Sequence, residues 1–381
     1  MTIADLINSM EQIAPARLAA AWDNVGLLLG GSDWPLARVL LTIDLTPAVL
    51  EEAIDSGANA IIAYHPPLFD PIKSLSTDHP RTRVLLQAAR AGIAIYSPHT
   101  ALDAAEGGIN DWLAAMISGG AGTGTGDIRA LQSHEDLPPT EETKIITFCP
   151  ADSADRLRSA LASIGAGQIG AYSACSFETP GTGTFLGGES TKPALGQRGI
   201  LERINEVRLE MVCPKRSLAL AVIAIRQFHP YEEPPIEIHP LLPRPLRNVG
   251  QGRRIVLDKP ASLRAILDRI RKGLGKSRLQ VAEAHDRPRH YETIGLSPGA
   301  GAGGSLLNDA IRAGCRMFFT GEMRHHDILD AQSRGCTIVL AGHTNTERGY
   351  LKVLKPRLTA LLGDDVEITV SKRDGDPLRV M

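Results

Sequence analysis

Aromatic side chains are scarce in this chain, at 4% of 381 residues. A surface that stacks successive bases of a single strand needs more of them. A surplus of positive charge is missing as well: 41 Lys and Arg stand against 43 Asp and Glu, a net charge of −2. With no basic field to hold a phosphate backbone, no nucleic-acid partner is expected. Long apolar runs are also lacking. A membrane-spanning helix needs about 18 or more apolar residues in succession, and the runs at 58–63 and 337–341 are far shorter. The first residues, Met1 to Asp5, have neither the basic start nor the apolar stretch of a secretory leader, so no membrane partner is expected. Cys149, Cys175, Cys213, Cys315 and Cys336 are odd in number, scattered and never spaced as CxxC. That pattern gives neither a disulfide framework nor a thiolate zinc site. A reducing cytoplasm is the expected location.

What remains is an ordinary globular composition, 43% hydrophobic and 22% charged, with a mean hydropathy of −0.06. Single cores stop growing near 250–300 residues, so the length calls for more than one domain. Residues 1–125 alternate helix and strand signals: helices at 3–13, 47–56, 81–91 and 107–117, strands at 38–43, 58–63 and 92–96. Such alternation predicts an α/β fold with a largely parallel sheet. The glycine-rich run 118–126 and the polar stretch to 143 read as a flexible linker, 126–143. Residues 144–242 then give strands at 144–148, 172–178, 206–213 and 235–239 and helices at 153–164 and 217–227. A glycine-rich turn at 181–188 and a short helix at 197–205 lie between them. Strand–helix–strand–strand–helix–strand is the order of a ferredoxin-like α+β unit. Five prolines between 234 and 245 make a stiff exit, and helix–strand alternation resumes over 244–381.

Polar residues cluster just past predicted strands. Tyr64 and His65 follow 58–63, and His99 and Asp103 follow 93–96. Glu322 follows 317–319, and His343 and Glu347 follow 337–341. Ligands of open α/β sheets bind outside the carboxyl ends of strands, and imidazole with carboxylate suits zinc, iron or manganese. If a helix starts at once after His343, that residue and Glu347 share one face. The plainer readings stand beside this one. Glu347 can cap its helix or pair with an arginine, and His65, stiffened by Pro66 and Pro67, can be a satisfied strand-end histidine. Asp103 can sit in an ordinary turn near a helix start, with His99 supporting it from behind. His325 and His326 diverge by about 100° on a helix, so at most one faces a site. Gly299–Gly304 matches GxGxxG, but a nearly pure Gly/Ala run reads as a tight turn or a backbone phosphate nest rather than a dinucleotide site. The segment from His229 to Pro234 (HPYEEP) reads as a packing corner more than a metal site. Trp22–Gly26 (WDNVG) is either a helix-end turn or a segment that brings Asp23 or Asn24 to the site edge.

Six motifs in order then carry a resemblance over nearly the whole chain: WDNVGLLLG at 22–30, YHPPLF at 64–69, HTALD at 99–103, the glycine-rich 299–307, TGEMRHHDILDA at 320–331 and GHTNTERG at 342–349. The chain resembles the NIF-three-like family, whose members carry the name GTP cyclohydrolase I type 2 homolog. Residues 144–242 resemble the insert of long bacterial members, similar to PII and CutA folds. The resemblance implies a split α/β metal-binding domain built from both chain ends, with His65 and Asp103 meeting His343 and Glu347 across a single sheet. It implies one divalent ion on His65, Asp103 and Glu347, and a second on His343, the shared Glu347 and the position of Tyr64. Many bacterial members have histidine at that position. A neutral phenol, with a pKa of about 10, is a poorer ligand, so the second ion is expected to be weak, water-completed or absent. Metal-dependent hydrolysis of a nucleotide or other phosphate-containing small molecule follows as the expected activity, with His99, Glu322 or His326 moving protons. A metal carrier and a regulatory ring protein are the alternatives, and the family resemblance implies a homohexamer.

Overall fold

The computed structural model describes residues 1–119, 126–276, 278–301 and 304–378. They divide into two compact units, one built from both chain ends (Met1–His134 and Leu246–Met381) and one from Glu135–Pro245. In chain order the first unit begins with α1 (Ile3–Ile13), β1 (Gly26–Leu29), β2 (Arg38–Thr42), α2 (Pro47–Asp55) and β3 (Ala60–Ala63). It continues with α3 (Pro80–Arg90), β4 (Ala94–Ser97), α4 (His99–Ala104), α5 (Ile109–Ser118) and β5 (Asp127–Asp136). The second unit holds β6 (Thr143–Cys149), α6 (Ala154–Ser163), β7 (Phe177–Leu186), β8 (Leu201–Cys213), α7 (Leu218–Phe228) and β9 (Ile236–Pro240). The chain returns to the first unit through β10 (Arg244–Ala261), α8 (Leu263–Leu274), β11 (Gln280–Ala282), β12 (Tyr291–Leu296) and α9 (Ser305–Arg312). Then come β13 (Met317–Thr320), α10 (His325–Ser333), β14 (Thr337–Leu340), α11 (Leu351–Leu362) and β15 (Glu367–Val370).

The two chain ends do not share the single sheet that the sequence suggested. They form two sheets, ordered β1-β4-β3-β2-β15 and β11-β14-β13-β12-β10-β5. Short helical crossovers make each half pair its own parallel strands first, β2-β3-β4 in one and β12-β13-β14 in the other. The halves then exchange one strand each. β15 from the C-terminal half pairs with β2 in parallel, and β5 from the N-terminal half joins β10. Side chains alternate across each strand. Val39 and Leu41 of β2, Ile62 of β3, Met317 and Phe319 of β13 and Val339 of β14 all enter one core with α1, α5, α8 and α11. Leu40 and Ile61 face the opposite way, under α2 and α3, and Phe318 and Ile338 lie under α9 and α10. Burial on both faces explains why these strands read as continuous apolar runs.

The supposed linker at 126–143 is largely β5. Its polar sequence is that of an edge strand, half-covered on its faces, rather than of free chain. Of the glycine-rich run before it, 120–125 lie outside the described residues, as do 302–303 of the GxGxxG segment.

The second unit has the strand–helix–strand–strand–helix–strand order read from sequence, in an antiparallel sheet ordered β7-β8-β6-β9. Val207, Leu209, Met211 and Cys213 of β8 bury one face under α6 and α7. Three local expectations fail there. The strand read at 172–178 begins only at Phe177. The glycine-rich 181–188 is mostly strand, and 197–205 runs into β8 instead of forming a helix. β7 pairs along its whole length, from Phe177 with Glu210 to Leu186 with Leu201, so ladder bonds outweigh the poor strand propensity of Pro180, Gly181 and Gly183. As an edge strand it tolerates a proline that donates nothing. Among the described residues no helix is long and apolar enough to cross a membrane. All five cysteines are free.

Candidate metal centre

Both parallel strand sets of the first unit end in the same place. Asp44 lies two residues past β2, His65 two past β3 and His99 two past β4. Glu322 lies two past β13 and His343 three past β14. The strand ladders run on into these turns. The His65 amide donates to the Ile43 carbonyl at 3.0 Å, and the Gly342 amide to Gly321 at 2.9 Å. β1 is antiparallel to β4, with Gly26 opposite Ser97. The residues just before β1 therefore also arrive at the carboxyl end of β4, which settles the WDNVG alternative in favour of the site edge.

Three donors converge. Oε2 of Glu347 is 3.4 Å from Nε2 of His65, and its Oε1 is 3.4 Å from Nε2 of His343. Donor atoms of all three residues lie within 4.8 Å of one another. Two ligand bonds of about 2.1 Å meeting at a tetrahedral angle span roughly 3.4 Å, the separation found. Glu347 is 2% exposed, and its Oε2 is buried without a hydrogen-bond partner. A buried carboxylate whose oxygens face only imidazole Nε2 atoms is costly unless a cation, an imidazolium or a bound metal ion, completes it. The donor set, two imidazoles and a carboxylate without sulfur, fits zinc, iron or manganese.

Each imidazole is aimed by a carboxylate on its other nitrogen. Asp44 Oδ1 is 2.8 Å from Nδ1 of His65, and Glu322 Oε1 is 3.0 Å from Nδ1 of His343. This leaves Nε2 of each ring directed at Glu347, the arrangement that fixes metal-binding histidines. Burial alone would raise the Asp44 carboxyl, but its hydrogen bond to His65 and the charges of His65 and Arg348 hold it below the usual range. Arg348 ion-pairs with Asp374 and lies 3.8 Å from Asp44, and Asp374 accepts from the Ile43 amide at 2.9 Å. Burial pulls the His65 imidazole down, but Asp44 and Glu347 outweigh it and push it up to about 10. His99 repeats the pattern, with Nδ1 2.7 Å from Asp23 Oδ1. Asp23 also accepts from the Thr100 amide and hydroxyl. These bonds, with the His99 charge, outweigh burial and lower its pKa.

Asp103 stands apart from the three donors. It is buried and accepts a 2.7 Å hydrogen bond from the Tyr64 hydroxyl. Burial, with the Glu347 charge, pushes its carboxyl up to about 7 against the Tyr64 bond and the His99 charge. Desolvation, the Asp103 and Glu347 charges and the bond to Asp103 drive the Tyr64 phenol well above its ordinary value. Glu322 is exposed but touches His343. His326 is exposed at the start of α10, where its described ring contact is with His325.

The helical argument for pairing His343 with Glu347 is wrong in detail. Their segment is two short 3₁₀ turns, Thr344–Thr346 and Arg348–Tyr350, with Glu347 between them at φ −123°. Glycine makes the tight packing there possible. A Cβ on Gly299, at φ +56°, would stand 2.5 Å from Glu347 Oε1. One on Gly321 would stand 2.8 Å from the His343 Cα. The GxGxxG segment thus begins with a glycine pressed against the centre. Sequence reasoning missed Asp44 and Asp374. Asp44 carried the same strand-end signal as His65, but Asp374 had none. His229, the packing corner of the second unit, donates from Nε2 to the Phe148 carbonyl at 2.9 Å.

The family model described as Duf34/NIF3 (NGG1p interacting factor 3) matches residues 1–377. The GTP cyclohydrolase 1 type 2 homolog of Halalkalibacterium halodurans is 33% identical over 98% of this chain and 97% of its own. NIF3-like protein 1 of Rattus norvegicus is 33% identical over 100% of this chain and 93% of its own. Among solved structures, the Bacillus cereus protein related to NIF3 is 30% identical, covers 100% of this chain and 99% of its own, and superposes with a TM-score of 0.69. Matched over nearly its whole length by that model and by these relatives, the chain belongs to the Duf34/NIF3 family.

Proposed function

We propose that the two chain ends build a divalent-metal-dependent hydrolase for a nucleotide or another phosphate-containing small molecule, working as a cytoplasmic homohexamer. The observation that carries this reading is the buried, unpartnered Oε2 of Glu347 between two imidazoles whose Nδ1 atoms are already engaged. The name shared by bacterial relatives, GTP cyclohydrolase 1 type 2 homolog, supports a nucleotide substrate. His65, His343 and Glu347 would hold one ion of zinc, iron or manganese. A second ion would share Glu347 and take the Tyr64 position, weakly because a neutral phenol is a poor ligand. When bound, such an ion polarises the attacked group and lowers the pKa of water toward about 7. Asp44 and Glu322 keep both imidazoles facing Glu347, and Pro66 stiffens the turn behind His65. His99, with Nδ1 taken by Asp23, has Nε2 free to give or take a proton near the ring of His65, whose centroid is 5.5 Å away.

A metal carrier is the second reading. It is favoured by the small number of donors that converge, His65, His343 and Glu347. Assays of zinc-, iron- and manganese-loaded protein against GTP and a panel of phosphate esters separate the two. The hydrolase reading expects turnover that falls at least ~100-fold in His343→Ala. Full metal content with no turnover of any compound sinks it and leaves the carrier.

A further inference from the structure

We propose that Trp22 and Phe69 form a rim on which a planar aromatic or heteroaromatic ring of the substrate stacks beside the metal centre. This deepens the hydrolase reading and rests on it. The chain has three tryptophans. Trp34 and Trp112 pack against the core, as large aromatics ordinarily do, but Trp22 is 64% exposed. Phe69 is 44% exposed and lies beside it, with ring centroids 5.9 Å apart and planes tilted by 58°.

The pair continues directly into the site. Trp22 lies 6.0 Å and Phe69 6.4 Å from the ring of His99, and His99 in turn lies 5.4 Å from Tyr64 and 5.5 Å from His65. The rim is also held in place. Asn24 donates to the Leu68 carbonyl at 2.5 Å, tying the segment of Trp22 to that of Phe69. Asp23, the neighbour of Trp22, is fixed by His99 and Thr100. His99 itself is kept at φ +26°, a backbone conformation that side chains other than glycine adopt only when their surroundings impose it.

A rigid, wet aromatic pair at the lip of a polar centre is the arrangement that takes one flat ring by stacking. The pair runs on without a break into the rings of His99, Tyr64 and His65, which favours a small molecule held at that centre over a second copy of the chain.

The test is calorimetric titration of the full chain, with and without zinc, using guanosine, pterin and quinoline as planar probes. Ribose 5-phosphate, which has no aromatic ring, is the control, and zinc content and sedimentation are measured on the same samples. Trp22→Leu and Phe69→Leu are each expected to weaken the planar probes about tenfold, with ribose 5-phosphate binding and zinc content unchanged and Trp22→Tyr close to the parent. The rim is overturned if no planar probe binds, or if the leucine variants bind them as the parent does. It is also overturned if those variants dissociate into smaller species, since the pair is then a contact between copies. Failure of the parent to hold zinc contradicts the metal reading instead, while planar binding to the zinc-free chain still scores the rim.

Discussion

The Tyr64 hydroxyl donates to the Asp103 carboxylate at 2.7 Å, with both side chains buried. The bond takes one lone pair of the Asp103 Oδ1, while the donors that converge among the described residues are His65, His343 and Glu347. Tyr64→His should remove that bond and place an imidazole beside Asp103. Metal content by elemental analysis should rise from about one ion per chain toward two, and an unchanged value would mean that this position does not limit the second ion.

Asp44 was not among the sequence-derived candidates, yet it sets the direction of His65. Asp44→Asn keeps the shape but takes away the charge that holds the Nδ1 proton. Partners of this kind contribute roughly 10–100-fold to metal affinity. Competition against a chelator should find a loss of that order with little change in melting temperature. Parent-like affinity would show that Arg348 and Asp374 suffice to orient the turn.

Gly299 packs directly against Glu347. Gly299→Ala places a methyl 2.5 Å from Glu347 Oε1 and holds an alanine at φ +56°. The conformational strain is about 1–2 kcal/mol, small for a fold of this size. The expected result is a folded chain that no longer retains metal; retention at parental affinity would require Glu347 to swing away without consequence.

His229 gives the second unit a pH dependence of defined sign. Its Nε2 donates to Phe148, while Nδ1 accepts from the Tyr231 amide at 3.1 Å. Only the neutral ring can do both. Burial lowers its pKa below the ordinary 6.5, against the Phe148 bond and the Glu206 charge. The unfolded chain therefore takes up the proton first as pH falls. The stability that the neutral ring contributes is complete above about pH 6.5 and is lost as pH falls through that value toward the lower folded pKa. Urea unfolding of parent and His229→Gln at pH 8, 6.5 and 5 should find their stability difference shrinking on acidification. A constant difference would mean that the ring does not titrate.

Much of this architecture was legible because its strands are buried on both faces and end abruptly in polar turns. The runs before His65, His99 and His343 marked both the strands and the residues they deliver. Three features were not legible, each for a physical reason. Strand exchange between the sheets depends on pairing across more than 300 residues, as between Arg38 and Glu367, and no local pattern encodes it. β5 and β7 carry polar or glycine-rich sequences because they are edge strands, and edge strands resemble loops in composition. The approach of His343 to Glu347 follows the helical spacing without a helix, because two 3₁₀ turns happen to return both side chains to one side. For the centre, the donors were readable and their anchors less so. A carboxylate such as Asp374, brought in from the segment after β15, has no sequence neighbour that gives its role away.

The central claim is that His65, His343 and Glu347 hold a divalent ion. Anomalous diffraction at the zinc, iron and manganese edges, on crystals of the metal-loaded parent and of Glu347→Gln, tests it most directly. The account predicts one strong peak within bonding distance of both Nε2 atoms and a Glu347 oxygen, lost or greatly weakened in the variant. A peak elsewhere, or no peak in parent crystals grown with excess metal, would contradict it.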